Sequence, residues 1–260
     1  MRIVVAVKHV LAGADGVKFT DANVLDRSSV DGQLSELDEY AVEQALSLRS
    51  ASEGSDVTVL TVGPSAAADA ARKALQMGAD RAVHVSDDAI AGTDALGTSR
   101  ILAAALSKLE HDVVVFGMAS TDAWMGVIPA MVAERLEIPL LARASSVEMD
   151  GSRILIRREE DDLSFELEAN LPVLLSVTDQ SGEPRYPSFK EIMAAKKKPL
   201  DVWSLQDLSL AAELVGVGGA RVRVESVLPR PPRGSGVMIT DDGGTGATQL
   251  VSYLASNKFI

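Results

Sequence analysis

The sequence contains no cysteine, and this absence removes several kinds of chemistry at once. Disulfides, thiolate nucleophiles, cysteine-ligated zinc and iron–sulfur clusters are all excluded. A chain of this composition that handles electrons must therefore carry them on an organic cofactor. Because nothing in the sequence requires an oxidising compartment, we predict a cytoplasmic location.

Histidine and aromatic residues are scarce. The histidines are His9, His84 and His111, and none stands beside a serine or carboxylate in a recognisable catalytic motif. The motifs H-E-x-x-H and G-x-S-x-G do not occur, so we predict no metal site and no catalytic residue. Aromatic residues make up 4% of the chain, while alanine, valine and leucine dominate. This composition is typical of parallel strands buried beneath helices.

Long apolar runs and an excess of positive charge are missing as well. No run approaches the roughly 18 to 20 apolar residues of a membrane span, and residues 1–10 lack the regions of a signal peptide. The formal net charge of −12 repels nucleic-acid phosphates, so we expect neither a nucleic-acid partner nor membrane insertion. The hydrophobic fraction of 47% is sufficient for a large core.

Strand and helix patterns alternate through the first half of the chain. Helical spacing follows Ser35 and Asp38, which resemble a capping box, and recurs over residues 66–77 and 93–106. Between these lie the apolar runs of four buried strands: Ile3–Val7, Val57–Val62, Ala82–Val85 and Val113–Gly117. The alternation predicts an α/β fold with a doubly wound, mostly parallel sheet of the Rossmann-like, adenine-nucleotide-binding kind.

The second half of the chain has a different pattern. Asp150-Gly151 suits a type I′ turn between two strand-like segments, and further strand patterns follow at 165–168 and 173–177. Beyond Pro199 glycine and proline are frequent, and apolar periodicity is weak until a final helical pattern. We therefore predict an α/β domain with an added β-hairpin region over 1–195, and an extended C-terminal arm over 196–260 that packs on a partner.

The end of the fourth strand is a candidate nucleotide site. A loop follows Gly117, and a helix then begins near Val127 with Pro129 in its first turn. Ligands of doubly wound sheets bind beyond the carboxyl ends of the strands, and a helix N-terminus there suits a phosphate. An ordinary loop is the alternative, but three other segments should reach the same edge: Ala6–His9, Ser35–Asp38 and Thr61–Pro64.

Several segments together resemble the β subunit of electron-transfer flavoprotein, in its actinobacterial type. The resemblance runs from the first strand to the C-terminus. It is carried by Val5-Ala6-Val7-Lys8, Asp38-Glu39-Tyr40-Ala41-Val42-Glu43, Ala74-Leu75-Gln76-Met77-Gly78-Ala79-Asp80-Arg81, Ser120-Thr121-Asp122, Leu171-Pro172-Val173, Glu183-Pro184-Arg185-Tyr186, Pro187-Ser188-Phe189-Lys190 and Ile192-Met193-Ala194-Ala195-Lys196-Lys197-Lys198.

The resemblance implies an electron-carrier subunit without catalytic residues of its own. In that family the β subunit binds a structural AMP and pairs with an α subunit that holds most of the FAD. The heterodimer accepts electrons from flavin dehydrogenases, such as acyl-CoA dehydrogenases of fatty acid oxidation, and delivers them to a quinone oxidoreductase. By position, the cofactor-binding residues are Ala6, Ser35, Glu36, Leu37, Asp38, Val62, Ala123, Trp124, Met125, Gly126, Val127, Ile128, Pro129 and Ala130.

The resemblance also implies a docking site for the dehydrogenases. Phe189 matches a leucine that inserts into a hydrophobic pocket of the dehydrogenase, and Lys190, Ile192 and Met193 follow it. The alternative is a phenylalanine folded onto its own core. Lys196, Lys197 and Lys198 either add a basic patch to this surface or stabilise a helix C-terminus.

Two departures from the family pattern bear on the cofactors. Trp124 and Met125 stand in the phosphate loop, where Met125-Gly126 replaces a pair of small residues, and Gly13 stands where some members carry a tyrosine near the flavin. Two alternatives stay open beside this interpretation. One is a bifurcating β subunit with a second FAD in place of AMP, and the other is a stand-alone ATP-binding protein of the universal-stress type.

Overall fold

The computed structural model describes residues 1–13, 17–21, 23–27, 31–229, 231, 234–241 and 243–260. The described chain forms two compact units, Met1–Glu225 and Ser226–Ile260. Across the described residues, none of the helices has the length and apolar character needed to cross a bilayer.

A seven-stranded sheet forms the centre of the first unit, and all its neighbouring strands run parallel. In spatial order its strands are β14 (Leu200–Trp203), β7 (Arg81–Val85), β6 (Asp56–Val62), β1 (Arg2–Val7), β8 (Val113–Gly117), β13 (Val173–Val177) and β9 (Leu140–Ala144). The valine-rich strands are buried on both faces, as expected when helices cover a parallel sheet. The predicted doubly wound α/β fold is confirmed.

Helices cover both faces of this sheet. The helices of the first unit are α1 (Glu36–Ala51), α2 (Ala68–Met77), α3 (Ala95–Lys108), α4 (Ile128–Leu136), α5 (Phe189–Ala195) and α6 (Gly216–Gly219). Ile3 and Val5 belong to a core cluster with α1 and α2, whereas Val4 and Ala6 belong to a second cluster with α3 and α4. Because successive side chains of a strand point to opposite faces, one run of valines serves both cores.

Short antiparallel sheets complete the first unit. Two of them join β2 (His9–Leu11) to β5 (Gly32–Leu34) and β3 (Lys18–Phe19) to β4 (Leu25–Asp26). A third contains β10 (Ser146–Asp150), β11 (Arg153–Glu160) and β12 (Leu163–Asn170), and Ile154 and Ile156 of β11 join the core beside α1.

The hairpin predicted around Asp150-Gly151 is present, but its turn differs from the expected one. Asp150 pairs with Arg153, so the two loop residues are Gly151 and Ser152. Of these two residues only Gly151 has a positive φ, +61°. Glycine at the first loop position with a single positive φ is the pattern of a type II′ turn, whereas type I′ needs a positive φ at both positions.

The boundary between the two units also differs from the predicted one. The sequence pattern predicts an arm that starts at residue 196, but β14 pairs with β7 along its whole length. Leu205, Leu208 and Val215 are buried in the second core cluster. The chain therefore belongs to the first unit as far as Glu225. A few buried apolar side chains anchor this segment, although it lacks regular apolar periodicity. The second unit contains α7 (Gly246–Ser256), as predicted, and none of its helical residues is buried.

Candidate functional site

The candidate nucleotide site lies at the carboxyl edge of the parallel sheet, between β1 and β8. From β1 the chain adds β6 and β7 on one side, and then places β8 and β13 on the other. This reversal is the topological switch point at which doubly wound sheets bind their ligands. The segments that follow β1 and β8, and the start of α1, all meet there.

Asp38 is the central buried acid of this edge. Its carboxylate accepts hydrogen bonds from the backbone N–H of Lys8, at 2.8 Å, and from the backbone of Gly117. Burial raises the pKa of Asp38 from 3.8 to about 7, although the hydrogen bonds and the Lys8 charge oppose the rise. Asp38 therefore joins three segments that are remote in sequence, and it holds a proton over much of the acid range.

The predicted capping box at Ser35 and Asp38 is wrong, although Ser35 does occupy the N-cap of α1. Neither side chain caps the helix, since the Asp38 carboxylate is already bonded to Lys8 and Gly117. The Ser35 hydroxyl accepts instead the backbone N–H of Thr121, at 3.3 Å. Both residues therefore attach α1 to the neighbouring loops rather than to its own first turn.

Gly117 ends β8 directly beneath the first turn of α1. A Cβ atom at this position would lie 2.5 Å from Asp38 Oδ1 and 2.8 Å from the Leu37 carbonyl oxygen. Both distances are shorter than any van der Waals contact. The close approach of helix and strand therefore requires glycine, for reasons of space rather than of backbone dihedral angle.

A polar cluster fixes the loop that leaves β8. The Lys8 ammonium donates to Asp122, at 2.6 Å, and to the Ser120 hydroxyl, at 3.2 Å. The Arg27 guanidinium lies 3.3 Å from the other Asp122 oxygen. Burial alone would raise the pKa of Asp122, but Lys8, Ser120 and Arg27 outweigh it and hold the pKa below its ordinary value. Asp122 is thus an ionised anchor between two cations.

The rest of this loop, Ala123–Gly126, is exposed and leads into α4. Trp124 has a φ of +52° and is 62% exposed, and Met125 is also mostly exposed. No side chain caps the first turn of α4, whose N-cap is Val127 and whose first turn contains Pro129. Both bulky residues are largely exposed rather than packed in the core, and Trp124 lines a surface cleft with Leu37 and Tyr40 of α1.

The structure brings most of the predicted cofactor-binding residues to this edge. Ala6 is buried near the end of β1, and Ser35, Leu37 and Asp38 are buried at the start of α1. Val62 ends β6, the next strand of the sheet, and the following Gly63 bonds to Val85 of β7. The remaining residues vary in burial: Glu36, Ala123, Gly126 and Ala130 are exposed, Val127 and Ile128 are half-buried and Pro129 is buried.

The rings of the three histidines take no part in the hydrogen bonds of Asp38 and Asp122 and occupy structural positions. The ring of His9 is buried against Gly32, His84 bonds to the Gly63 carbonyl oxygen, and His111 bonds to the Leu109 carbonyl oxygen. Burial lowers the pKa of His9. No group of side chains suited to a metal ion occurs among the residues that the structure describes.

The candidate docking residues form a separate, exposed surface on α5. Phe189 is 78% exposed and Met193 is exposed as well, while Ile192 is half-buried. The alternative of a core phenylalanine is therefore wrong. Lys190 is exposed beside it, and Ser188 with Glu191 forms a capping box at the start of the helix.

Comparison with known proteins identifies the family. Residues 22–208 match the electron transfer flavoprotein domain. The chain is 43% identical to the electron transfer flavoprotein subunit beta of Mycobacterium tuberculosis and of Mycobacterium leprae, over 99% of each chain. The chain belongs to the electron-transfer flavoprotein β-subunit family. It is also 31% identical to the caffeyl-CoA reductase-Etf complex subunit CarD of Acetobacterium woodii, over 98% of this chain and 97% of that one.

Membership of the electron-transfer flavoprotein family confirms the resemblance drawn from the sequence, including its actinobacterial character. It also decides against a stand-alone protein of the universal-stress type, since the match extends over 99% of the chain.

Sequence reasoning missed the residues that hold this edge together. Lys8 lies in a matched motif and Asp122 in another, but neither was predicted as a site residue, and Arg27 was not singled out at all. The available signal was a lysine directly after a buried strand, opposite a loop that contains an aspartate. Sequence alone did not reveal that the two are paired, because 114 positions separate them.

Proposed function

We propose that this β subunit binds AMP at the carboxyl edge of its sheet and pairs with an electron-transfer flavoprotein α subunit that holds most of the FAD. The heterodimer accepts electrons from flavin dehydrogenases, such as acyl-CoA dehydrogenases of fatty acid oxidation. It passes them to a quinone oxidoreductase of the respiratory chain. The β subunit contributes binding surfaces in the cytoplasm and no catalytic residue. The observation that carries this proposal is the convergence of α1, β1 and the β8–α4 loop in a full-length family member.

The polar groups of this edge fit adenosine monophosphate. The uncapped first turn of α4 offers backbone N–H groups and the positive end of a helix dipole to the phosphate. Met125 and Gly126, which are exposed just before the helix, add further backbone N–H groups, whereas those of Ala123 and Trp124 already donate to the Ser120 carbonyl oxygen. Lys8 and Arg27 place two positive charges around Asp122, which orders the loop before any ligand binds. When bound, AMP supplies structural stability rather than redox chemistry.

Mass spectrometry of the ligands released from the native heterodimer tests this assignment. We expect AMP in about equal amount to the β subunit, and one FAD for each heterodimer. Two FAD molecules and no AMP would favour the bifurcating form instead.

The variant Gly126→Val should reduce AMP retention, because Gly126 has a φ of +65° and a β-branched residue there distorts the loop before α4. Gly151→Val is the matched control. Its φ of +61° imposes similar strain in the hairpin turn, and AMP content should stay normal.

Phe189 is the proposed anchor for the dehydrogenases. An aromatic side chain exposed at the start of a helix contributes little to the fold and offers a large apolar area to a partner. Loss of such an anchor typically costs about 2 kcal/mol or more, which is roughly a thirtyfold change in affinity.

Phe189→Ala should therefore slow electron transfer from a reduced dehydrogenase while the melting temperature and the FAD and AMP contents stay close to wild type. Leu163→Ala, which removes an exposed apolar side chain from β12, is the control. A normal transfer rate in the Phe189 variant would contradict the docking assignment.

A further inference from the structure

The docking segment, Tyr186–Met193, has little packing of its own. Tyr186 is 95% exposed and Phe189 is 78% exposed. The chain reaches this segment from β13 through a connection over residues 178–185 that contains no helix or strand. A partner that recognises the segment needs it in one orientation, and an unanchored connection would lose conformational entropy on binding. Some contact outside the segment must therefore fix it.

Arg185 makes that contact with Glu43 on α1. The guanidinium donates from Nε and from one terminal nitrogen to the two carboxylate oxygens, each at 2.7 Å, and the backbone N–H of Arg185 donates to the same carboxylate at 3.1 Å. The side chain of Glu43 is only 14% exposed. Burial alone would raise the pKa of Glu43, but the bonds from Arg185 outweigh it and hold the pKa below its ordinary value.

The next residue of α1 holds the other end of the connection. The Gln44 side-chain amide donates to the Ser181 carbonyl oxygen at 2.5 Å. Adjacent helix residues thus bind the connection at two points, Ser181 and Arg185, and the capping box of Ser188 follows three residues later. From Arg185 to α5 the chain has little freedom to reorient, because Pro187 restricts the backbone between Arg185 and the N-cap residue Ser188.

We propose that Glu43 is a positioning residue for dehydrogenase docking, which acts through Arg185 to set the orientation of Phe189. This inference rests on the proposed docking role of Phe189 and adds the residue that controls it. The pair is not needed for the core, since α1 buries Ala41, Val42, Ala45 and Leu46 against the sheet whether or not Glu43 is paired. Its loss should therefore change docking more than folding.

Steady-state electron transfer between a reduced acyl-CoA dehydrogenase and the complete heterodimer tests this inference. We compare wild type, Glu43→Gln, Phe189→Ala and the double variant. The Glu43→Gln change removes the charge but retains the shape. It should raise KM for the heterodimer about five- to twentyfold with little change in kcat, because binding is lost and chemistry is not. Glu168→Gln breaks an ion pair of the same type with Arg153, on the hairpin sheet, and is the matched control.

The double variant separates positioning from a general structural effect. If Glu43 acts only through Phe189, Glu43→Gln should add less than about twofold in the Phe189→Ala background. If the two substitutions raise KM by factors that multiply in the double variant, the inference is overturned. It is also overturned if Phe189→Ala raises KM but Glu43→Gln leaves it unchanged. An unchanged KM in Phe189→Ala itself would refute the docking role first, so the two failures are distinguishable. FAD and AMP contents should match wild type in every variant.

Discussion

At Gly117 the protein has no room for a side chain. The Leu37 carbonyl oxygen is part of the α1 backbone and cannot move aside without shifting the helix. We expect Gly117→Ala to lower the free energy of unfolding by about 1 to 3 kcal/mol, because the first turn of α1 must lift from β8.

Chemical denaturation of the purified protein measures this change. Gly218→Ala is the control, since a Cβ there would meet no atom within 4 Å. Equal stability of the two variants would show that the first turn of α1 can move away from β8 at little cost in free energy.

Asp38 should make stability depend on pH. Its pKa is about 7 in the folded protein and near 3.8 when unfolded, so between these values the folded state holds a proton that the unfolded chain has released. The stabilisation from protonated Asp38 is fully present below about pH 4 and is lost as the pH rises through about 7.

The variant Asp38→Asn keeps the shape of this side chain and removes its titration. Relative to the variant, wild type should lose up to about 3 kcal/mol of unfolding free energy between pH 4.5 and pH 7.5. Urea denaturation of both proteins at the two pH values measures their unfolding free energies. If the gap between wild type and variant is the same at both pH values, the assigned pKa is contradicted.

At the scale of the elements, α5 has little internal support. The helix is seven residues long, and only Ala195 is buried. Such a short helix is marginal by itself, so its capping box carries much of its stability. Ser188→Ala should cost about 1 kcal/mol locally and speed amide exchange over α5 roughly fivefold.

Hydrogen exchange followed by mass spectrometry detects this change. Glu191→Gln is the control, because glutamine also completes a capping box and should leave exchange nearly unchanged. If exchange over α5 is the same in Ser188→Ala as in wild type, tertiary contacts rather than the cap hold the helix.

At the scale of the whole molecule, the second unit is the segment expected to need a partner. Leu250 and Val251 of α7 are about half exposed, and no residue of that helix is buried. We predict that protease cleaves the isolated chain first within 226–260, and that the α subunit protects this region.

Limited proteolysis with and without the α subunit measures the effect. Cleavage should spare residues 196–225, since β14 and Leu205 are anchored in the first unit. Identical cleavage in the two samples would show that the second unit does not pack on the partner.

The sequence by itself determined the α/β class, the four central strands and the position of the candidate nucleotide edge, because these depend on local apolar patterns that repeat at fixed spacing. It also carried the family resemblance. Tertiary structure decided what local patterns do not contain. Ser35 and Asp38 have the spacing of a capping box, but the Asp38 carboxylate accepts hydrogen bonds from the backbone of Lys8 and Gly117 instead of capping the helix.

Contacts between distant segments also explain the other differences between the sequence-based predictions and the structure. Residues 200–203 lack strong apolar periodicity, yet they form a strand because they pair with the edge of β7. The pairs Lys8–Asp122 and Glu43–Arg185 span 114 and 142 positions, so only the folded chain brings them together. Interactions between distant segments depend on the path of the chain, and that path is a property of the whole fold.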